Sequence, residues 1–273
     1  MTARTRLEFG RILYTPVFAV LVLLALANAA AALWPAGDPA HGLVTTGTMI
    51  AALVGAFRIV PTVIALFFAG ELMWADREQG MHELIGASPL AEVAFVLPKL
   101  LALACASVLL ASATAGLAIL VQALRGSGDL IDVGSYLLSY VAPTSWDWTL
   151  IAVLALFLQA MSPNKVAGWG WMVLYLITSL TLQKLGLNDP LYRYGRYPGW
   201  PLPAALSGAA DVSWFRAYWG AVAVVLTATA CLLGRRGDVG RGLQRRRRVL
   251  DWSARRRSPA TATSAGLVGK AER

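Results

Sequence analysis

Charged side chains are scarce in this sequence. They make up 14% of 273 residues, whereas 57% of the residues are hydrophobic and the mean hydropathy is +0.59. A typical soluble domain has about 25% charged residues. The shortage of charge excludes an ordinary soluble domain and indicates a membrane protein.

Residues that could perform catalysis or bind a metal are also few. The two histidines, His41 and His82, fall in loops, which disfavours a protease that needs a histidine inside a span. His82 begins His-Glu-Leu-Ile-Gly, and the zinc motif H-E-x-x-H would need a second histidine where Gly86 stands. Cys105 and Cys231 lie in apolar runs and are typical of core side chains. We therefore expect no enzyme activity, no metal and no cofactor.

The sequence also lacks a nucleotide-binding motif. It contains no G-x-x-x-x-G-K-[ST] stretch, so an energised transporter built from this chain would need a partner to bind ATP. The formal net charge of +9 comes mostly from residues after Leu233, without a nucleic-acid recognition module. A basic tail beside a span is a topology signal and a contact for anionic lipid. The residues predicted for that contact are Arg235, Arg236, Arg245, Arg246, Arg247 and Arg248.

Long apolar segments dominate what the chain does contain. A spanning helix needs about 20 mostly apolar residues to cross a hydrocarbon core of about 30 Å. Six segments meet or approach that length: Ile12 to Trp34, a second that ends at Trp74 and begins between Thr48 and Pro61, Val93 to Leu124, Trp146 to Met161, Val166 to Gln183, and Trp214 to Leu233. The predicted fold is an all-α integral membrane protein with six transmembrane helices. Because the first segment is long, we expect a retained span there and not a cleaved signal peptide.

Two local patterns refine this prediction. Residues 133–143, between the third and fourth segments, are too few to span and are predicted to form an outer interfacial or re-entrant piece closed by Pro143. Tryptophan favours the membrane interface, and all ten tryptophans fall at or beyond the ends of the predicted segments.

Lysine and arginine in short loops mark the cytoplasmic side. The N-terminal arginines, Lys165 and the arginine-rich tail fall on one side of a six-span chain, so both termini are predicted to be cytoplasmic. The loop between spans two and three lies on the same side but is acidic. A surface meant for anionic headgroups would not be acidic, so we expect this loop to contact a protein.

Few polar residues lie within the predicted spans. Arg58 could extend to the headgroups or line a translocation path. Asn28 and Gln159 are predicted to hydrogen-bond between helices. Three glycines are predicted to allow close helix packing: Gly116, Gly168 and Gly170.

An ordered set of short motifs resembles that of ABC-2 type permeases. Phe67 to Ala104 contains an E-x-x-W-x-x-R-E stretch at the end of span two and a lysine, Lys99, that opens span three. An Asn-Lys pair at 164–165 and a Tyr-x-Tyr-Gly-x-x-Pro run at 192–198 are most similar to bacterial permeases fused to an M1-type aminopeptidase domain. The chain departs from these relatives where Ala75-Asp76 follows Trp74 and along residues 202–211.

The resemblance implies a permease subunit of an ATP-binding-cassette exporter in the bacterial plasma membrane. Residues 1–248 would form the permease domain and residues 249–273 a basic, disordered cytoplasmic tail. Its partners would be a P-loop ATPase subunit, a second permease copy or homologue, and anionic lipid. The residues implied to contact the ATPase are Glu71, Trp74, Asp76, Arg77, Glu78 and Glu83. The alternative is a membrane anchor or scaffold without transport activity, or a remnant of a longer permease-peptidase fusion.

Overall fold

A computed structural model describes residues 2–36, 44–57, 59–78, 93–125, 128–186, 194–195 and 213–232. Within these ranges the chain is helical and has no β-strand, which confirms the predicted all-α class for them. The helices are α1 (Thr2–Leu13), α2 (Pro16–Leu33), α3 (Thr46–Ala56), α4 (Val60–Glu78), α5 (Val93–Leu124), α6 (Val133–Met161), α7 (Lys165–Lys184) and α8 (Ser213–Leu232).

Helix length and composition support several membrane crossings. Helices α2, α5, α6, α7 and α8 each contain a stretch long and apolar enough to span, and α3 with α4 passes the same test as one bent pair. Counting that pair once gives six candidate spans. These helices are typical of a multi-pass membrane protein, and their insertion and the side on which the termini lie stay predictions.

The second predicted segment is a broken helix. α3 begins after Thr45, whose side chain accepts a hydrogen bond from the Thr48 N–H at 3.4 Å. α4 starts at Val60 at an angle of 51° to α3, and Pro61 lies in its first turn, where a missing N–H is tolerated. The break explains why the apolar stretch is longer than one span requires. Arg58 lies outside the described residues.

The first predicted segment is also divided. Because Pro16 cannot donate a backbone hydrogen bond, α1 ends at Leu13 and α2 begins at Pro16. α1 carries the N-terminal basic residues and packs along α5, with the Arg4 guanidinium 4.0 Å from the centre of the Phe95 ring.

The predicted separate piece at 133–143 is wrong. These residues are the first turns of α6, and the span continues through Pro143 to Met161. The backbone widens to a π-helix over Tyr136–Val141, where the Ala142 N–H bonds to the Leu137 carbonyl. A wider turn accommodates a proline that would clash with the preceding α-helical turn.

The earlier start of α6 also corrects the tryptophan pattern. Trp148 lies near the middle of the helix, where it is 7% exposed, and its ring packs 5.7 Å from that of Phe57. Its large apolar surface serves as core in this position.

The helices run between two ends of the bundle. The loop end is where α4 and α6 finish and α5 and α7 begin. The far end is where α2 and α5 finish and α3 and α6 begin. α6 lies at the centre, packed against α4, α5 and α7.

A buried amide holds the far end together. The Gln122 side chain is fully buried and donates to the carbonyls of Val44 and Leu130, at 3.1 and 3.2 Å. It accepts from the Tyr136 hydroxyl at 3.0 Å, and Thr46 also donates to the Leu130 carbonyl. One side chain thus joins the ends of α5 and α6 to the segment that leads into α3.

We predict that Gln122→Ala destabilises the protein. The change leaves buried oxygen atoms of Val44 and Tyr136 without this partner, which costs about 1–3 kcal/mol for each unsatisfied group. Thermal unfolding in detergent measures the loss. Thr181→Ala is the control, because the exposed Thr181 hydroxyl bonds only to the Ile177 carbonyl of its own helix. Equal midpoints for Gln122→Ala and the wild type would contradict the prediction.

Candidate functional site

The residues predicted for ATPase contact lie at the end of α4. Glu71, Trp74, Asp76, Arg77 and Glu78 occupy its last two turns. The side chains of Glu71 and Trp74 are described, and those of the last three are not. Glu83 lies outside the described residues, as do the six tail arginines, at 235, 236 and 245–248.

Glu71 forms an ion pair with the first residue of α7. Its carboxylate lies 2.7 Å from the Lys165 ammonium, and the two side chains are 38% and 21% exposed. Asn164 caps α7, because its side-chain oxygen accepts from the Ala167 N–H at 2.7 Å. The Asn-Lys motif therefore has two structural roles: Asn164 starts α7 and Lys165 pairs with α4.

Trp74 bonds to the centre of the bundle. Its indole N–H donates to the side-chain oxygen of Gln159 on α6 at 3.0 Å, and Gln159 is 2% exposed. This contact confirms that Gln159 is a helix-helix partner. Asn28 is a second one, since its side-chain amide donates to the Ala56 carbonyl of α3 at 3.1 Å.

Two glycines make room for these side chains. A Cβ added to Gly168 would lie 2.2 Å from the Gln159 side-chain oxygen, and one added to Gly70 would lie 2.3 Å from the Trp169 indole nitrogen. Gly168 is therefore a close-packing position, as predicted. The same prediction for Gly116 and Gly170 is wrong for the described residues, because a Cβ there meets nothing within 4 Å.

Lys99 joins α5 to the last turns of α4. It is 4% exposed, and its ammonium donates to the Leu72 carbonyl of α4. An ammonium buried in an apolar bundle is costly unless it is bonded, so this contact fixes the first turns of α5 against the last turns of α4. The two helices that flank residues 79–92 are thus tied to each other.

Sequence reasoning found some of these residues and missed others. It singled out Glu71, Trp74 and Gln159, but it did not pair any of them. It gave no role to Gly70, and it placed Trp169 only among the ten tryptophans near the ends of predicted segments. Only the packing of α7 on α4 makes them part of the site, where the rings of Trp169 and Phe67 stack at 6.1 Å.

The contacts of the site join helices to one another. An ion pair, an indole-amide bond and an ammonium-carbonyl bond tie the last turns of α4 to α7, α6 and α5. Among the described residues, no group of three or more His, Cys, Asp or Glu side chains could hold a metal ion.

Comparison with known proteins does not add to this picture. No protein-family model matches the sequence, and a search of curated proteins found no match.

We predict that Gly168→Ala and Gly170→Ala have opposite effects. An added methyl at position 168 must displace Gln159 and break its bond to Trp74, with a cost of about 1–3 kcal/mol. At position 170 it meets open space and removes a flexible glycine, which favours the helix by up to about 1 kcal/mol. Thermal unfolding of both variants in detergent provides the comparison, and equal destabilisation would refute the assigned packing.

Proposed function

We propose that this chain is the permease subunit of an ATP-binding-cassette exporter and that the end of α4 couples it to a separate ATPase subunit. One observation carries the proposal: α4 continues beyond its own anchoring contacts. Glu71 and Trp74 bond to α7 and α6, and the helix then runs on to Glu78. The four residues from Ala75 to Glu78 continue the helix by about 6 Å beyond Trp74.

The sequence of this extension carries charge of both signs. Asp76, Arg77 and Glu78 form the last turn of α4, beyond the Trp74–Gln159 bond. An ATPase subunit with complementary charges would contact this turn and the loop that follows it. Glu71 has an intramolecular partner and therefore acts in the proposal by positioning α4.

The helix would transmit the ATPase cycle as a rigid body. α4 is continuous for 19 residues, and its other end is the break with α3. A displacement at Glu78 would change the angle at that break and shift the packing of α4 on α6. Transport would then follow from two packed arrangements whose balance depends on nucleotide.

Further partners complete the proposed assembly. A second permease copy or homologue would supply the other half of the pathway across the bacterial plasma membrane. Anionic lipid would contact the tail arginines. The resemblance to ABC-2 type permeases supports this arrangement through the E-x-x-W-x-x-R-E stretch that covers Glu71 to Glu78.

The test is an affinity capture of the tagged chain from its native membranes in mild detergent, with bound proteins identified by mass spectrometry. We expect a P-loop ATPase with the wild type and at least a tenfold loss of it when Asp76, Glu78 and Glu83 are changed to lysine. The control reverses three acids in loops predicted on the opposite side: Asp38, Asp129 and Asp189. It changes the net charge equally and should retain the ATPase.

Two outcomes would count against the proposal. Absence of an ATPase from a folded wild-type sample would favour the anchor or scaffold alternative. Equal loss in both triple variants would show that charge in general, and not this surface, matters.

A charge exchange tests the part played by Glu71. We predict that Glu71→Lys lowers ATPase capture because it repels Lys165 and misplaces the end of α4. Combining it with Lys165→Glu should restore capture, since the pair is re-formed with its charges exchanged. If Glu71 contacted the ATPase directly, the double variant would remain as poor as Glu71→Lys alone.

A further inference from the structure

A cleft opens on the outer surface of the bundle between α2 and the start of α4. Its volume is about 180 Å³. The described side chains that line it are all aliphatic: Leu21, Leu24, Ala25, Ile59, Val60, Val63 and Ile64. Leu24, Ile59 and Val63 are 60%, 43% and 40% exposed, so the cleft is open to the surroundings of the bundle.

The break between α3 and α4 creates this cleft. α2 packs against α3, and the Asn28 amide holds it to the Ala56 carbonyl at the end of α3. α4 then turns by 51°, which leaves a gap between α2 and the first turns of α4. The Ile59 carbonyl accepts hydrogen bonds from the N–H groups of Thr62 and Val63 at 3.0 and 3.2 Å, so Ile59 belongs to the α4 wall.

The cleft lies near the middle of a candidate span. α2 runs from Pro16 to Leu33; by helical rise, Leu21 is about 7.5 Å from the first and Ala25 about 12 Å from the second. At that depth a helix in a bilayer is surrounded by hydrocarbon and not by water or headgroups. An aliphatic space that is open at this depth therefore selects a hydrocarbon occupant.

The size of the cleft suits the end of one hydrocarbon tail. A dry cavity of about 150 Å³ lined by leucine, isoleucine and phenylalanine binds benzene. A volume of 180 Å³ therefore holds about six to eight carbon atoms. Ile64 also lines an interior cavity of about 20 Å³, which is too small to continue the path. A tail that enters the cleft would thus end at Ile64.

The rim of the cleft favours a flexible tail over a second protein helix. Helices associate in membranes through small residues, which allow close approach, and through polar side chains. Among the described residues that line the cleft, the exposed ones are Leu24, Ile59 and Val63, which are bulky and apolar. A flexible tail can follow such a surface more closely than a rigid helix can.

We propose that this cleft binds the end of a single hydrocarbon tail of a membrane amphiphile. The tail lies between α2 and α4 with its terminal carbons against Ile64, and the polar head of the amphiphile stays at the membrane surface. Unlike the predicted contact between lipid headgroups and the C-terminal arginines, this site recognises the apolar part of the molecule. The proposal requires α2 to be a membrane span, and it does not require an ATPase partner.

Photolabelling of the purified full-length protein tests the proposal. The protein is held in a steroid-based detergent, which has no flexible alkyl tail, with palmitic acid that carries a photoreactive diazirine near its terminal carbon. We expect adducts at residues 21–25 and 59–64, and at least a tenfold loss of them in excess unlabelled palmitic acid. Palmitic acid with the diazirine beside its carboxylate should not label these residues, because the cleft takes the terminal carbons. Both probes are compared on the wild type, so this result is independent of how variants fold.

A matched pair of variants then locates the site. Val63→Phe fills the cleft and should reduce labelling of residues 21–25 at least tenfold. Val108→Phe makes the same change on α5, at a position outside the cleft that is 46% exposed, and should leave the labelling unchanged. The labelled residues lie on α2, so neither substitution alters them.

Three results would overturn the proposal. The first is labelling that excess palmitic acid does not displace, which would show general contact with surrounding amphiphile only. The second is equal labelling of residues 21–25 in Val63→Phe and the wild type. The third is a crosslinked dimer when a photoreactive phenylalanine analogue replaces Val63 in native membranes, which would show that a second copy occupies the cleft. None of these results depends on ATPase capture, so failure here is distinct from failure of the permease proposal.

Discussion

The hydrogen bond between Trp74 and Gln159 is the contact on which the loop end of the bundle depends. Gln159 is almost fully buried on the central helix α6, where an amide must have partners because water is excluded. The Gln159 side chain has room there because Gly168 lacks a Cβ and lets α7 approach α6 closely. The bond from Trp74 then fixes the position of the end of α4 along α6. The Glu71–Lys165 pair also holds the end of α4, but an ion pair this exposed is worth at most about 1 kcal/mol.

Helix α4 connects the loop end of the bundle to the break with α3. Its last turns carry the charged residues proposed for ATPase contact, and its first turn lies at that break. A helix of 19 residues is about 28 Å long, close to the thickness of the hydrocarbon core. A rigid element of that length offers a physical route by which a displacement at one surface would change the helix packing near the other.

Polar residues are few, and several of the described ones join a helix to another element. Gln122 and Tyr136 join the far end, Asn28 joins α2 to α3, and Lys99 joins α5 to α4. In apolar surroundings, helices gain little from hydrophobic contact with each other, so close packing and these bonds select their arrangement.

The sequence by itself determined the helical membrane class and most of the spans, because a long apolar run has few ways to satisfy its backbone except as a helix. Val93–Leu124 matches α5 at both ends, and the predicted fifth and sixth spans match α7 and α8 within one residue. The start of α6 could not be read in this way, since a π-helical turn lets Pro143 continue the span. Tertiary structure alone decided that Gly168 is a packing position and Gly116 is not, and that Trp74 meets Gln159 from 85 residues away. These contacts depend on which faces of the helices pack together. A helix that is apolar on all sides has little periodicity in its sequence, so the sequence does not indicate its packed face.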